Sequence, residues 1–131
     1  NLAERFLWTD SLDSGNINYF YNTADLVVMP TTGKYDNFKE LFGSVIPECM
    51  LSKTLVVGSD NGSIPEVIGN PHMIFRQDDK EDFVRVVNYV YNLTAEEKNA
   101  IIEKNHQKAL RDYSAEAFVK TIIASLRKDF L

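Results

Sequence analysis

Two carboxylates flank a Phe-Gly turn in Lys39-Glu40-Leu41-Phe42-Gly43-Ser44-Val45-Ile46-Pro47-Glu48-Cys49-Met50, and they are the residues best placed to do chemistry. A polar stretch delivers Glu40. Gly43 then lets the backbone turn and come close to a ligand, because it carries no Cβ. The spacing predicts a helix from Gly43 or Ser44 to about Ser52, with Pro47 in its first turn, where a missing N–H costs little. The amides that open such a helix have no partner inside it and, with the helix dipole, form an anion site. Glu48 falls about one turn inside, and helical side chains lean toward the N-terminus, so its carboxylate can point at the same crevice. An anion-binding helix end between two hydroxyl-accepting carboxylates suits a ligand carrying hydroxyls, a diphosphate and further hydroxyls. A nucleotide diphospho-sugar has that order of groups. Spacing alone favours a plainer alternative, in which Glu40 is a solvated loop carboxylate and Glu48 a solvated helix residue or a lysine's partner.

The elements that must position this run follow from local patterning. Arg5-Phe6-Leu7-Trp8 reads as a buried strand running into a loop, and Asn16 as the cap of a short helix from Ile17 to Ala24. Leu26-Val27-Val28-Met29 reads as a second strand stopped by Pro30, followed by a polar loop from Thr31 to Lys39. Thr54-Leu55-Val56-Val57 is expected as a third strand, Ile64 to Ile68 as a short helix, and His72-Met73-Ile74-Phe75 as a fourth strand. Asp82 to Leu93 carries Phe83, Val86, Val87 and Val90 at helical spacing. Thr94-Ala95-Glu96-Glu97 has the form of a capping box opening a helix to about Arg111, and Ser114 is placed to cap a last one. The apolar faces of these three helices are expected in the core. Docking of one of them on an absent domain or a membrane surface is the alternative. Strands alternating with helices imply an α/β fold with a parallel sheet covered by helices, and ligands then bind beyond the carboxyl ends of the strands. That rule points to the loops after Trp8, Met29 and Val57.

Composition bounds the function. The chain has 131 residues, enough for one domain, with 44% hydrophobic and 25% charged residues. A net charge of -5 without a basic run argues against a dedicated nucleic-acid binder. Cys49 is the only cysteine, so an internal disulfide is excluded and a reducing, cytoplasmic setting is expected. No apolar run has the length of a membrane span, and Asn1-Leu2-Ala3-Glu4 lacks the pattern of a signal peptide. The chain does not begin with Met and is read as a processed, excised or truncated piece.

The stretch Glu40-x-Phe-Gly-x-x-x-x-Glu48-Cys-Met resembles the Glu-x-Phe-Gly-x-x-x-x-Glu-Ala-Met signature of family 4 (group 1) retaining glycosyltransferases of the GT-B fold. Tyr19-Phe20-Tyr21-Asn22-Thr23-Ala24-Asp25, with the strand and Pro30-Thr31 after it, looks like the same family's tyrosine-rich helix, Ala-Asp pair, strand and Pro-Ser. Leu55-Val56-Val57-Gly58-Ser59-Asp60-Asn61-Gly62-Ser63-Ile64-Pro65-Glu66-Val67-Ile68 is similar to its Pro-Val-Val, Asp-x-Gly-Gly and Pro-Glu-Val-Ile segment. The resemblance covers nearly the whole chain. It implies residues 1–131 are a single domain, the donor-binding C-terminal half of such an enzyme, with a Rossmann-like sheet and a helical C-terminal tail. It also implies that the first strands of that half and the N-terminal acceptor domain are missing, so that the piece alone is inactive. By resemblance Glu40 contacts hydroxyls of the transferred sugar and is the catalytic candidate. Glu48 holds the ribose, and Phe42, Gly43 and Ser44 meet sugar hydroxyls or the diphosphate. The substrate is a nucleotide diphospho-sugar, no cofactor or metal is expected, and the acceptor is open, as is peripheral membrane attachment.

Departures are few. Cys49 replaces alanine, Ser63 replaces the second glycine of the Gly-Gly pair, and the loop from Gly33 to Lys39, with Lys34, Tyr35 and Asp36, is longer than the pattern. A GT-B sugar-nucleotide epimerase or phosphorylase, and a non-catalytic doubly wound interaction domain, are the competing readings. His72 and His106 are weak catalytic candidates. Asp78-Asp79 and Glu81-Asp82 read as helix-start carboxylates rather than a metal cluster, Cys49 as a packing residue, and Glu66 as loop support.

Overall fold

The computed structural model describes residues 2–34 and 38–130. Its helices and strands are α1 (Ser14–Thr23), β1 (Val27–Met29), α2 (Val45–Leu51), β2 (Val56–Ser59), α3 (Ile64–Ile68), β3 (Ile74–Phe75), α4 (Lys80–Asn92), α5 (Ala95–Tyr113) and α6 (Ala115–Phe130). Short 3-10 turns occupy Leu2–Arg5 and Pro71–Met73. The three strands form one parallel sheet in the order β1-β2-β3, with Val27 opposite Val56 and Gly58 opposite Ile74. This is the expected α/β architecture, a Rossmann-like sheet flanked by helices.

β2 is central and buried along its whole length, as a strand covered on both faces must be. Around it close Ile46, Cys49 and Met50 from α2, Ile64, Val67 and Ile68 from α3, and Val86 and Val90 from α4. α3 comes so near that a Cβ at Gly58 would overlap the Ile64 side chain, so this strand position is restricted to glycine. α5 packs on α2, and near its end Lys108 Nζ donates to the Val67 carbonyl at 3.0 Å and to Tyr113 Oη at 2.8 Å. That contact ties α5 to α3.

Several boundaries differ from the sequence reading, each for a physical reason. Arg5-Phe6-Leu7-Trp8 forms no strand, and Phe6, Leu7 and Trp8 are 73%, 79% and 79% exposed. A buried strand needs a neighbour for its amides and carbonyls, and none of the three strands pairs with this segment. Asp13, not Asn16, caps the first helix, its carboxylate accepting from the Gly15 and Asn16 amides. β2 begins two residues later than expected, because the Thr54 hydroxyl is bonded to the Tyr21 carbonyl and pairing with β1 starts at Val56. His72 and Met73 belong to the 3-10 turn capped by Asn70, which leaves only Ile74 and Phe75 in β3. The Thr94 capping box is present in full, and Ser114 Oγ accepts from the Ala117 amide at the start of α6. The apolar face of α6 is not core: Phe118, Val119, Ile122, Ile123 and Leu126 are all exposed.

Candidate functional site

The carboxyl ends of the strands open onto a polar crevice of about 460 Å³ lined by Gly33, Phe38, Lys39, Asp60, Asn61, Gly62 and Gln77. All three strand-end loops contribute to it, so the relevant loop after β2 is the one following Ser59. Glu40 stands beside this crevice and is partly buried.

Its backbone is held from both sides by the turn after β2. The Glu40 amide donates to Asn61 Oδ1 at 2.7 Å, and the Glu40 carbonyl accepts from the Ser63 amide at 2.9 Å. Asn61 is 4% exposed, and its Nδ2 also donates to the Phe38 carbonyl at 2.9 Å and to Gln77 Oε1 at 2.8 Å. One buried amide thus joins the loops after β1, β2 and β3. Gly62, at φ +55, lies flat on the Glu40 backbone, where any Cβ would overlap the Glu40 carbonyl. The sequence marks Asp60-Asn61-Gly62-Ser63 as a turn, but nothing local says that the turn grips Glu40. Ser63 has an ordinary right-handed backbone at φ -83, so the position does not require the family's glycine.

The Glu40 side chain turns toward the start of α2. Its Oε1 accepts from the Gly43 amide at 3.0 Å, and Gly43 makes the turn at φ +65. The first amide of the expected anion site is therefore occupied by the glutamate itself, with Oε1 as the anchored oxygen. Ser44 holds the cap position of α2 without a side-chain capping bond, and its side chain is exposed. Phe42 is 46% exposed and meets Tyr113 edge-on, with ring centroids 5.6 Å apart.

Glu48 sits where the helix reading put it, in the first turn of α2. Its Oε2 accepts from Tyr21 Oη at 2.9 Å. Burial first, then the hydrogen bond and charge of Glu48, push the Tyr21 phenol well above its ordinary range. Glu48 lines a depression of about 340 Å³ between α1 and α2 with Ile17, Asn18, Tyr21, Leu51 and Ser52. The two glutamates thus lie on either side of the Gly43 turn, Glu40 bonded to the Gly43 amide and Glu48 to the Tyr21 hydroxyl. A further, mainly apolar depression of about 420 Å³ lies at the amino ends of the strands, the opposite end from Glu40.

The remaining candidates have structural positions. Cys49 is fully buried, and its thiol is pushed up to about 12 by burial and, next, by the Glu48 charge. His72 stacks on Tyr89, while His106 lies on α5 with its Nδ1 buried and unpartnered. Asp79 caps α4, and Asp78 accepts from the Thr32 hydroxyl. Tyr35 and Asp36 of the long loop lie outside the described residues.

No curated protein matches the sequence. The crystal structure of a glycosyltransferase from Rickettsia africae ESF-5 is similar, with a TM-score of 0.74 at 20% identity, over 88% of this chain and 30% of that one. This likeness bears on the fold, and the chain spans about 30% of that protein's length. The family model described as glycosyl transferases group 1 matches residues 1–109, a range holding Glu40, Glu48, the Gly43 turn and the Asn61 clamp. This chain belongs to the group 1 glycosyltransferase family.

Proposed function

We propose that this chain supplies one wall of the donor site in a glycosyltransferase that moves a sugar from a nucleotide diphospho-sugar to an acceptor with retention of anomeric configuration. The observation that carries the reading is the fixing of Glu40 at the carboxyl ends of a parallel sheet. Its backbone is clamped by Asn61 and Ser63, and its carboxylate is anchored on the Gly43 amide. In this reading Oε1 stays on Gly43 and the other oxygen accepts from hydroxyls of the sugar. The backbone around Phe42, Gly43 and Ser44 lies along the sugar and diphosphate, and Glu48 receives the ribose.

Chemistry of this kind needs no protein nucleophile. The leaving diphosphate assists removal of the acceptor's proton on the face of the sugar it departs from. The protein contributes position and stabilisation of leaving-group charge, in a site whose groups are already oriented. No metal is assigned a part in it. The other wall of the site and the acceptor-binding region are assigned to the rest of a longer protein, so the 131-residue chain alone is expected to be inactive.

The test uses the full-length protein with UDP-, GDP- and ADP-linked sugars. Glu40→Gln, which keeps shape and removes charge, is expected to lower turnover by roughly 10²-fold. Near-normal turnover by that variant would remove Glu40 from the reaction.

A further inference from the structure

Tyr21 is 7% exposed in the last turn of α1, and its backbone carbonyl accepts a 2.6 Å hydrogen bond from the Thr54 hydroxyl. The residue is held at both ends, by Thr54 at the main chain and by Glu48 at the phenol. Glu48, by contrast, is exposed on α2. An exposed helical glutamate samples several rotamers, and ordering it costs free energy when a ligand binds. Here a buried donor anchors one of its oxygens, through a hydrogen bond strengthened by the carboxylate's charge. The anchored carboxylate keeps acceptor capacity for two more O–H groups in a fixed direction. Two adjacent hydroxyls on one ring match that demand.

We propose that Tyr21 is a positioning residue, whose hydroxyl sets the Glu48 carboxylate as a preorganised acceptor for the 2′,3′-diol of a nucleotide and so favours ribose over 2′-deoxyribose. The inference rests on Glu48 being the ribose contact. Burial keeps the phenol protonated, so Tyr21 remains a donor throughout the neutral range. The gain is in preorganisation: the rotamer is chosen before the ligand arrives.

The experiment is calorimetric titration of the full-length protein with UDP, GDP and ADP and with their 2′-deoxy counterparts. Tyr21→Phe keeps the ring and removes the donor. It is expected to weaken binding of the preferred ribonucleotide about three- to tenfold, the range of one ordinary net hydrogen bond, because the lost bond acts on the ligand only through Glu48. Binding of the 2′-deoxy counterpart should change less, so the ribose preference narrows. Combined with Glu48→Ala, which removes the acceptor, the Tyr21→Phe change should have little further effect. Thr94→Ala serves as the control, because it lowers the melting temperature through the α5 cap without touching Tyr21 or Glu48. It should leave the ribose preference intact. Equal narrowing in Thr94→Ala would reduce the Tyr21→Phe effect to one of stability. Wild-type binding by Tyr21→Phe, alongside weakened binding by Glu48→Ala, would overturn the role of Tyr21 and leave the ribose reading standing. Unchanged binding by Glu48→Ala would overturn the ribose reading itself, and the Tyr21 role with it.

Discussion

Asn61, in the loop after β2, hydrogen-bonds the loops after β1 and β3 at once, and Gly62 beside it lies against the Glu40 backbone. Asn61→Ala would strand the Glu40 amide, the Phe38 carbonyl and the Gln77 side chain together. The cost expected in denaturant unfolding is about 1–3 kcal/mol, the usual range for a buried polar group left without its partner. Turnover of the full-length enzyme should fall further than that loss explains, because Glu40 loses one of its two backbone anchors. Gly62→Ala meets two penalties, a positive φ and a Cβ overlapping the Glu40 carbonyl. The first alone costs about 1–2 kcal/mol. A Gly62→Ala protein with unchanged unfolding midpoint would show that the clamp is looser than described. Much of this level was legible beforehand: Glu40, Gly43 and Glu48 stand out by type and spacing. Asn61 and Tyr21 do not, because each acts on a residue more than twenty positions away.

Secondary-structure elements here are started by short-range chemistry. Thr94 Oγ1 accepts from the Glu97 amide and the Glu97 carboxylate accepts from the Thr94 amide, so α5 opens with both donors satisfied. Thr94→Ala is expected to lower stability by about 1 kcal/mol, read from the unfolding midpoint at constant slope. At the head of α4, Asp82 accepts from Arg85 Nε at 2.6 Å and from the Arg76 amide at 2.7 Å. These contacts, Arg85 foremost, lower its pKa from 3.8 to about 2. A carboxyl whose folded value is depressed adds stability that is fully present above its unfolded value and is lost as pH falls through its folded value. The contribution of Asp82 should therefore fade between about pH 4 and pH 2. Asp82→Asn should flatten the acid-unfolding curve in that window and cost stability at neutral pH. Caps of this kind are readable from sequence because donor and acceptor lie within one turn. Asp13 and Asn16 are both residue types that cap well, and the cap is Asp13 because its carboxylate meets the Gly15 and Asn16 amides.

At the scale of the whole molecule, runs of exposed apolar side chains among the described residues include the Phe6-Leu7-Trp8 segment and the apolar face of α6. Trp8 is the sole tryptophan and is 79% exposed. The 131-residue chain should therefore show the fluorescence of a water-exposed indole and be quenched freely by acrylamide. A blue-shifted, protected indole would mean that the segment is covered after all. The same apolar run has the composition of a buried strand, yet no described strand pairs with it, and without a pairing neighbour local propensity does not make a strand.

The sequence by itself determined the alternation of strands and helices, the turn at Gly43, the position of Glu48 within its helix and the family to which these spacings belong. Each depends on interactions within a few residues or on a pattern carried along the chain. Tertiary structure decided which oxygens of the two glutamates are anchored and by which partners. Glu40 is fixed by a turn that follows a different strand, and Glu48 by a tyrosine on a different helix. Parallel pairing brings those partners together, and it is set by sheet register and burial over the whole domain, which no local spacing encodes.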